Sequence, residues 1–201
     1  MSLWQPDRTP DAPKAPRARP AVALPEKFRV QEGPHGMEIA WRWFTPAAFF
    51  LLFFCIAWDG FLVFWYSMAF GHNTPLIAKL FPIAHVAVGV GLTYFTASLF
   101  LNTTRIRATR DSLEIRHFPL PWPGARTLHL GSLQQLFVKH RTRTNKGSTT
   151  DYYDLVALTA DSKRLDLVRN LTEVDQALFL EQKIERFAGL KDEPVAGEVA
   201  R

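Results

Sequence analysis

Phe44–Phe70 reads FTPAAFFLLFFCIAWDGFLVFWYSMAF and contains one charged side chain, Asp59. A second run, Leu76–Leu101, LIAKLFPIAHVAVGVGLTYFTASLFL, adds only Lys79 and His85. Each run exceeds the roughly 20 residues that carry a helix across a hydrocarbon core about 30 Å thick. Hiding two such helices inside a soluble core would take a far larger protein than 201 residues. The runs therefore predict two transmembrane helices, at 44–70 and 76–101. Between them lies only Gly71-His72-Asn73-Thr74-Pro75, which predicts a tight antiparallel hairpin with both flanks on one side.

Charge sets the orientation. Lys27, Arg29 and Arg42 precede the first run, Arg105, Arg107 and Arg110 follow the second, and the linker has no Lys or Arg. The positive-inside rule then places both termini in the cytoplasm. Lys79 falls near the outer end of the second helix, where its stem can snorkel to the headgroups. The first apolar run starts too far from Met1 for a signal peptide.

The overall composition, 47% hydrophobic and 21% charged with net charge +5, averages over unlike parts. Residues 1–26 are rich in Pro, Ala and Arg without apolar periodicity, which predicts a disordered tail. The lone cysteine, Cys55, excludes an intrachain disulfide or a Cys-based zinc site. The N-x-T sequences at Asn102 and Asn170 lie on the predicted cytoplasmic side and are not read as glycan acceptors.

Residues 27–43 read as a juxtamembrane strand-turn-strand around Gly33-Pro34-His35-Gly36, running into the membrane with Trp41 and Trp43 as interfacial anchors. After the second apolar run, β-prone segments recur at 105–110, 113–118, 128–130, 133–140, 152–159 and 164–168, separated by Pro-, Gly-, Asn- and Asp-containing turns. The period then changes to that of a helix, with Thr172 as its cap, Ala177, Leu178, Leu180, Ile184 and Phe187 on its apolar side and Gly189 as its stop. Residues 102–190 thus predict one small cytoplasmic domain, followed by a tail at 191–201.

The segments TTRIRATRDSLEIRHFPLPWPG, YYDLVAL and ALFLEQKIERFAGL, following a two-helix hairpin, resemble the pleckstrin-homology-like domains of bacterial two-span membrane proteins, a largely uncharacterised group. The resemblance implies a membrane α-helical hairpin plus a small PH-like β-barrel capped by its C-terminal helix, in the bacterial inner membrane. The zinc ribbon that some related proteins carry before the hairpin has no cysteines to form it here.

Three constellations are candidates for chemistry or binding. A symmetric hairpin centred at His72 and Asn73 brings Asp59 opposite Val86 and beside His85, an intramembrane polar pair on a stripe of His85, Gly89, Thr93 and Thr96. That pair reads either as an interhelical clamp, within or between chains, or as part of a polar path in a transport or enzyme complex. Lys139, His140, Arg141, Arg143 and Lys146 form a basic hairpin tip suited to anionic lipid or a protein partner, or simply to solvent. The stiff loop Phe118–Gly124 reads as a membrane-dipping or partner-binding wedge, or as a cover over the open end of the barrel. Over the domain the bases barely outnumber the acids, so nucleic acid is not an expected partner. No phosphate loop, paired catalytic acids or metal-ligand spacing occurs, and His117, His129 and His140 fall on separate predicted strands. The expectation is a non-enzymatic binding or scaffolding module, without cofactor or metal, whose partners are membrane lipids and a second copy or another protein. The alternative is an accessory subunit using Asp59 and His85.

Overall fold

The computed structural model describes residues 21–69, 75–80, 82–145, 147–190, 195 and 197–199. Strands β1 (Arg29–Gly33) and β2 (Gly36–Arg42) form a hairpin, after which the chain leaves as helix α1 (Ala47–Ala69). It returns through α2 (Leu76–Leu80) and α3 (Ile83–Leu101) and continues as β3 (Thr103–Ala108), β4 (Ser112–Phe118) and β5 (Arg126–His129). These five strands are one antiparallel sheet in sequence order. β2 and β3 pair from Arg42↔Thr103 to Met37↔Ala108, and the Trp43 N–H donates to the Asn102 carbonyl at 3.0 Å. The apolar helices are therefore an insertion between two neighbouring strands.

This pairing revises the expected boundary at Asn102. The 27–43 hairpin shares a core with the later strands: Phe28, Met37, Ile39 and Trp41 are buried with Ile106, Ala108, Leu113 and Ile115. Strict alternation explains it, since in β3 Thr104, Ile106 and Ala108 point inward while Arg105 and Arg107 are exposed. Trp41, expected at the headgroup level, is only 6% exposed and packs its ring 5.1 Å from that of Phe28.

A second antiparallel sheet follows, with β6 (Leu133–Asn145), β7 (Ser148–Thr159) and β8 (Arg164–Leu171) in that order. Helix α4 (Val174–Ala188) packs on β6, β7, β8 and β3, burying Ala177, Phe179, Leu180 and Ile184. Glu173, not Thr172, occupies its N-cap position. Gly189 ends it at φ 65, where a side chain would be strained. Residues 1–20 of the expected disordered tail lie outside the described residues. Within its last part, the Val22 N–H donates to Gln182 Oε1 of α4 at 3.1 Å, and Val22 packs against the core. In the expected C-terminal tail, the Val199 N–H donates to the Val138 carbonyl of β6 at 2.9 Å.

α1 and α3 are long and apolar enough to cross a membrane, and only 17% of the apolar window of each is buried within the chain. They are thus not the core helices of the β-rich domain. The second run is not one helix from Leu76: α2 stops at Leu80, and Pro82 occupies the N-cap position of α3. Proline lacks the N–H that would continue the helix, and its ring clashes with the carbonyl four residues earlier. The linker at 71–74 and the Lys79 side chain lie outside the description.

Candidate functional site

Asp59 stands near the middle of α1, and its Oδ2 accepts a 2.8 Å hydrogen bond from Thr93 Oγ1. Its Oδ1 lies where a Cβ on Gly89 would be 2.8 Å away, so only glycine admits this approach of the helices. His85, the expected partner, packs elsewhere. Its ring stacks on Trp58 at 5.9 Å, and its carbonyl accepts the Trp58 Nε1–H at 3.3 Å. The physical reason is Pro82. With α3 starting only at Ile83, Thr93 rather than Val86 comes level with Asp59, about two helical turns further on. The stripe on α3 still faces α1, since Cys55 Sγ lies 3.4 Å from Thr96 Oγ1. Chemically the site is a carboxylate held by one hydroxyl donor in a close helix contact, an interaction that contributes roughly 0.6–1 kcal/mol in membranes.

The junction between helices and sheet is more densely bonded. Asn102, fully buried, caps α3 through its N–H to the Ser98 carbonyl at 2.9 Å. Its Nδ2 donates to the Leu120 carbonyl at 3.0 Å and its Oδ1 accepts the Leu120 N–H at 2.8 Å. The loop Phe118–Gly124 therefore docks on α3. Trp122 stacks on Tyr94 with an interplanar angle of 4° and meets Phe95 and Trp43 at 5.8 and 5.2 Å. The Tyr94 hydroxyl donates to the Pro121 carbonyl. Trp43, half-buried, donates from Nε1 to Thr104 Oγ1 at 2.7 Å, and Thr104 Oγ1 lies 2.9 Å from His117 Nδ1. Burial holds the His117 pKa below the ordinary imidazole value. Sequence reasoning missed Asn102 and Tyr94; the signal available was a Pro-Trp-Pro loop following a strand that must pair beside the helix end.

The basic segment runs along a strand rather than at a tip. Lys139, His140, Arg141 and Arg143 lie within β6, the turn follows Asn145, and Lys146 lies outside the described residues. β7 returns two carboxylates to them. His140 Nε2 is 2.8 Å from Asp151 Oδ1, with its ring stacked 5.2 Å from Tyr153. Arg141 bonds both oxygens of Asp154 and donates to Asn170 Oδ1 at 3.0 Å. A bulge where β7 meets β8 puts Asn170 at φ 61, aiming its N–H at Asp154 Oδ1, 2.9 Å away. Burial pushes the Asp154 pKa up, but Arg141, this N–H and the nearby positive charges outweigh it and hold the carboxyl below its usual range. Arg141 is a structural ion-pair residue, whereas Lys139 and Arg143 are exposed.

Among the described residues no three His, Cys, Asp or Glu side chains gather as a metal site requires. His117 sits with Thr104 and Trp43, His140 with Asp151, and His129 at the end of β5. No protein-family model matches the chain, and no curated protein matches it.

Proposed function

We propose that the chain is an integral inner-membrane protein with both termini cytoplasmic, whose β-rich domain is PH-like and serves as a non-catalytic binding or scaffolding module at the membrane surface. The observation that carries this reading is the insertion of the apolar hairpin between β2 and β3, with Asn102 and Trp122 fastening the domain to it. A domain so fixed keeps its binding surfaces at a set height and orientation over the bilayer, which suits a scaffold. The PH-like assignment is supported by the succession of one meander, a second meander and a closing C-terminal helix, with β1 as an added edge strand. Asp59 takes the role of interhelical clamp, since its Oδ2 accepts the Thr93 hydroxyl and its Oδ1 lies against Gly89 of the facing helix.

The test is cross-linking of the full chain in native membranes, followed by mild extraction and mass spectrometry. A discrete adduct with a second copy or another protein, retained in Asp59→Asn, is the expected result. If Asp59→Asn keeps normal abundance and adducts but abolishes proton or solute flux in reconstituted vesicles, the scaffold reading gives way to that of a transport subunit.

A further inference from the structure

The register of the first sheet sorts its outward-facing side chains into rows. The row next to the helices is Arg42, Thr103 and Phe118; the next is Arg29, Ala40, Arg105 and Arg116; the third is Gln31, Glu38, Arg107 and Glu114. Alternate residues of a strand are about 7 Å apart. The four arginines of the first two rows thus lie closest to the helix ends, and the carboxylates begin in the third. Glu38 holds Arg105 at 2.8 Å and Glu114 holds Arg116, both from the side away from the helices. Arg42 is pinned at the end of α3, its Nη2 donating to the Phe100 carbonyl at 3.3 Å. Directly below, the rings of Phe44, Phe49 and Phe100 meet at 5.3–5.7 Å on the exposed helix surface.

An open groove of about 1140 Å³ runs along this face, lined by Arg29, Arg42 and Arg105 on the sheet side, with Phe44, Thr45 and Pro46 at the helix entry. Its acids are Glu38 of β2, already paired with Arg105, and Glu26, Glu173 and Asp175 from the N-terminal segment and the start of α4. The cationic half is therefore the half formed by the sheet next to the aromatic ring.

We propose that this arginine face binds the phosphodiester headgroups of anionic phospholipids in the leaflet adjoining the domain. The inference rests on the reading that α1 and α3 cross a membrane. Given that crossing, the order along the chain axis is apolar aromatics, then arginines, then carboxylates, which matches acyl chain, phosphate and water. Arginine forks suit phosphate oxygens, and rows within about a Debye length of the leaflet feel its charge.

The experiment uses the full chain reconstituted in vesicles of phosphatidylcholine with a quarter phosphatidylglycerol, extracted mildly, with the retained lipid quantified. Phosphatidylglycerol should be enriched over the bulk ratio, by up to about five-fold per engaged arginine. The enrichment should fall to the bulk ratio in R29Q/R42Q/R105Q/R116Q and decline in R29Q/R42Q, which spares both ion pairs to glutamate should the fourfold variant misfold. Lys139→Gln with Arg143→Gln should leave it intact. Bulk-ratio lipid in the wild type, or loss of enrichment only with the Lys139 and Arg143 changes, overturns the proposal. So does its abolition by equimolar inorganic phosphate, which identifies a free anion as the ligand. Release of the chain from vesicles by alkaline carbonate would instead defeat the membrane-crossing reading itself.

Discussion

At the residue scale, Gly89 and Arg141 are the positions where single atoms decide the outcome. A Cβ at Gly89 meets Asp59 Oδ1 at 2.8 Å and Trp58 Cδ1 at 3.1 Å, whereas at Gly91 it meets nothing within 4 Å. Gly89→Ala should therefore destabilise the helix pair by about 1 kcal/mol, and Gly91→Ala should not, as read by thermal unfolding in detergent. Removing Arg141 leaves Asp154, 2% exposed, with the Asn170 N–H as its remaining bonded donor. Because Arg141 is itself 38% exposed, the expected cost of Arg141→Ala is only about 2 kcal/mol, with Arg143→Ala near zero. The pH dependence has a definite sign. His117 has a folded pKa below its ordinary 6.5, so the stability it supports is present above that pH and is lost as pH falls through the folded value. Asp154 acts in the same direction lower down, within the carboxylate range. Melting temperature should thus decline in two stages on acidification, and His117→Gln should remove the first. The sequence showed that Asp59 needed a partner in the second helix and that Gly89 and Thr93 shared its stripe. It misassigned the partner because helix-break positions displace every cross-helix pair at once.

At the scale of elements, the helix–sheet junction depends on Asn102 and the 118–124 loop. Asn102→Ala would leave the Leu120 N–H and carbonyl without their side-chain partners at a buried site, at a cost of about 2–3 kcal/mol. For a chain of this size that is a fall of several degrees in melting temperature, and Trp122→Ala should expose the loop to protease without unfolding the strands. The strands themselves were legible from alternation, as in Thr104-Arg105-Ile106-Arg107-Ala108, and α4 from its apolar period and Gly189. The extension of β6 past His140 to Asn145, and of β7 back to Ser148, was not, because charged and polar residues resemble a loop signal until the facing Asp151 is known. The α2–α3 break is marked in the sequence by Pro82, though hydropathy alone passes straight through it.

At the scale of the whole molecule, the domain is one fold interrupted by two long apolar helices. Sequence order concealed this: Arg42 and Thr103 are distant in the chain and adjacent in the sheet. The two apolar runs were unmistakable, but pairing between their flanks is a long-range register that composition cannot reveal. The consequence is that residues 102–190 alone lack the strands supplying Phe28, Met37, Ile39 and Trp41 to the core, and should not fold. A chain in which residues 44–101 are replaced by a two-residue Asn-Gly turn should fold instead, because β2 and β3, already joined by the Trp43 to Asn102 hydrogen bond, then become an ordinary hairpin. The decisive measurement is denaturant unfolding of these two chains, followed by near-ultraviolet circular dichroism. A single cooperative transition for the spliced chain and none for 102–190 is the expected result; cooperative folding of 102–190 alone, with the spliced chain unstructured, would contradict the interrupted-domain architecture.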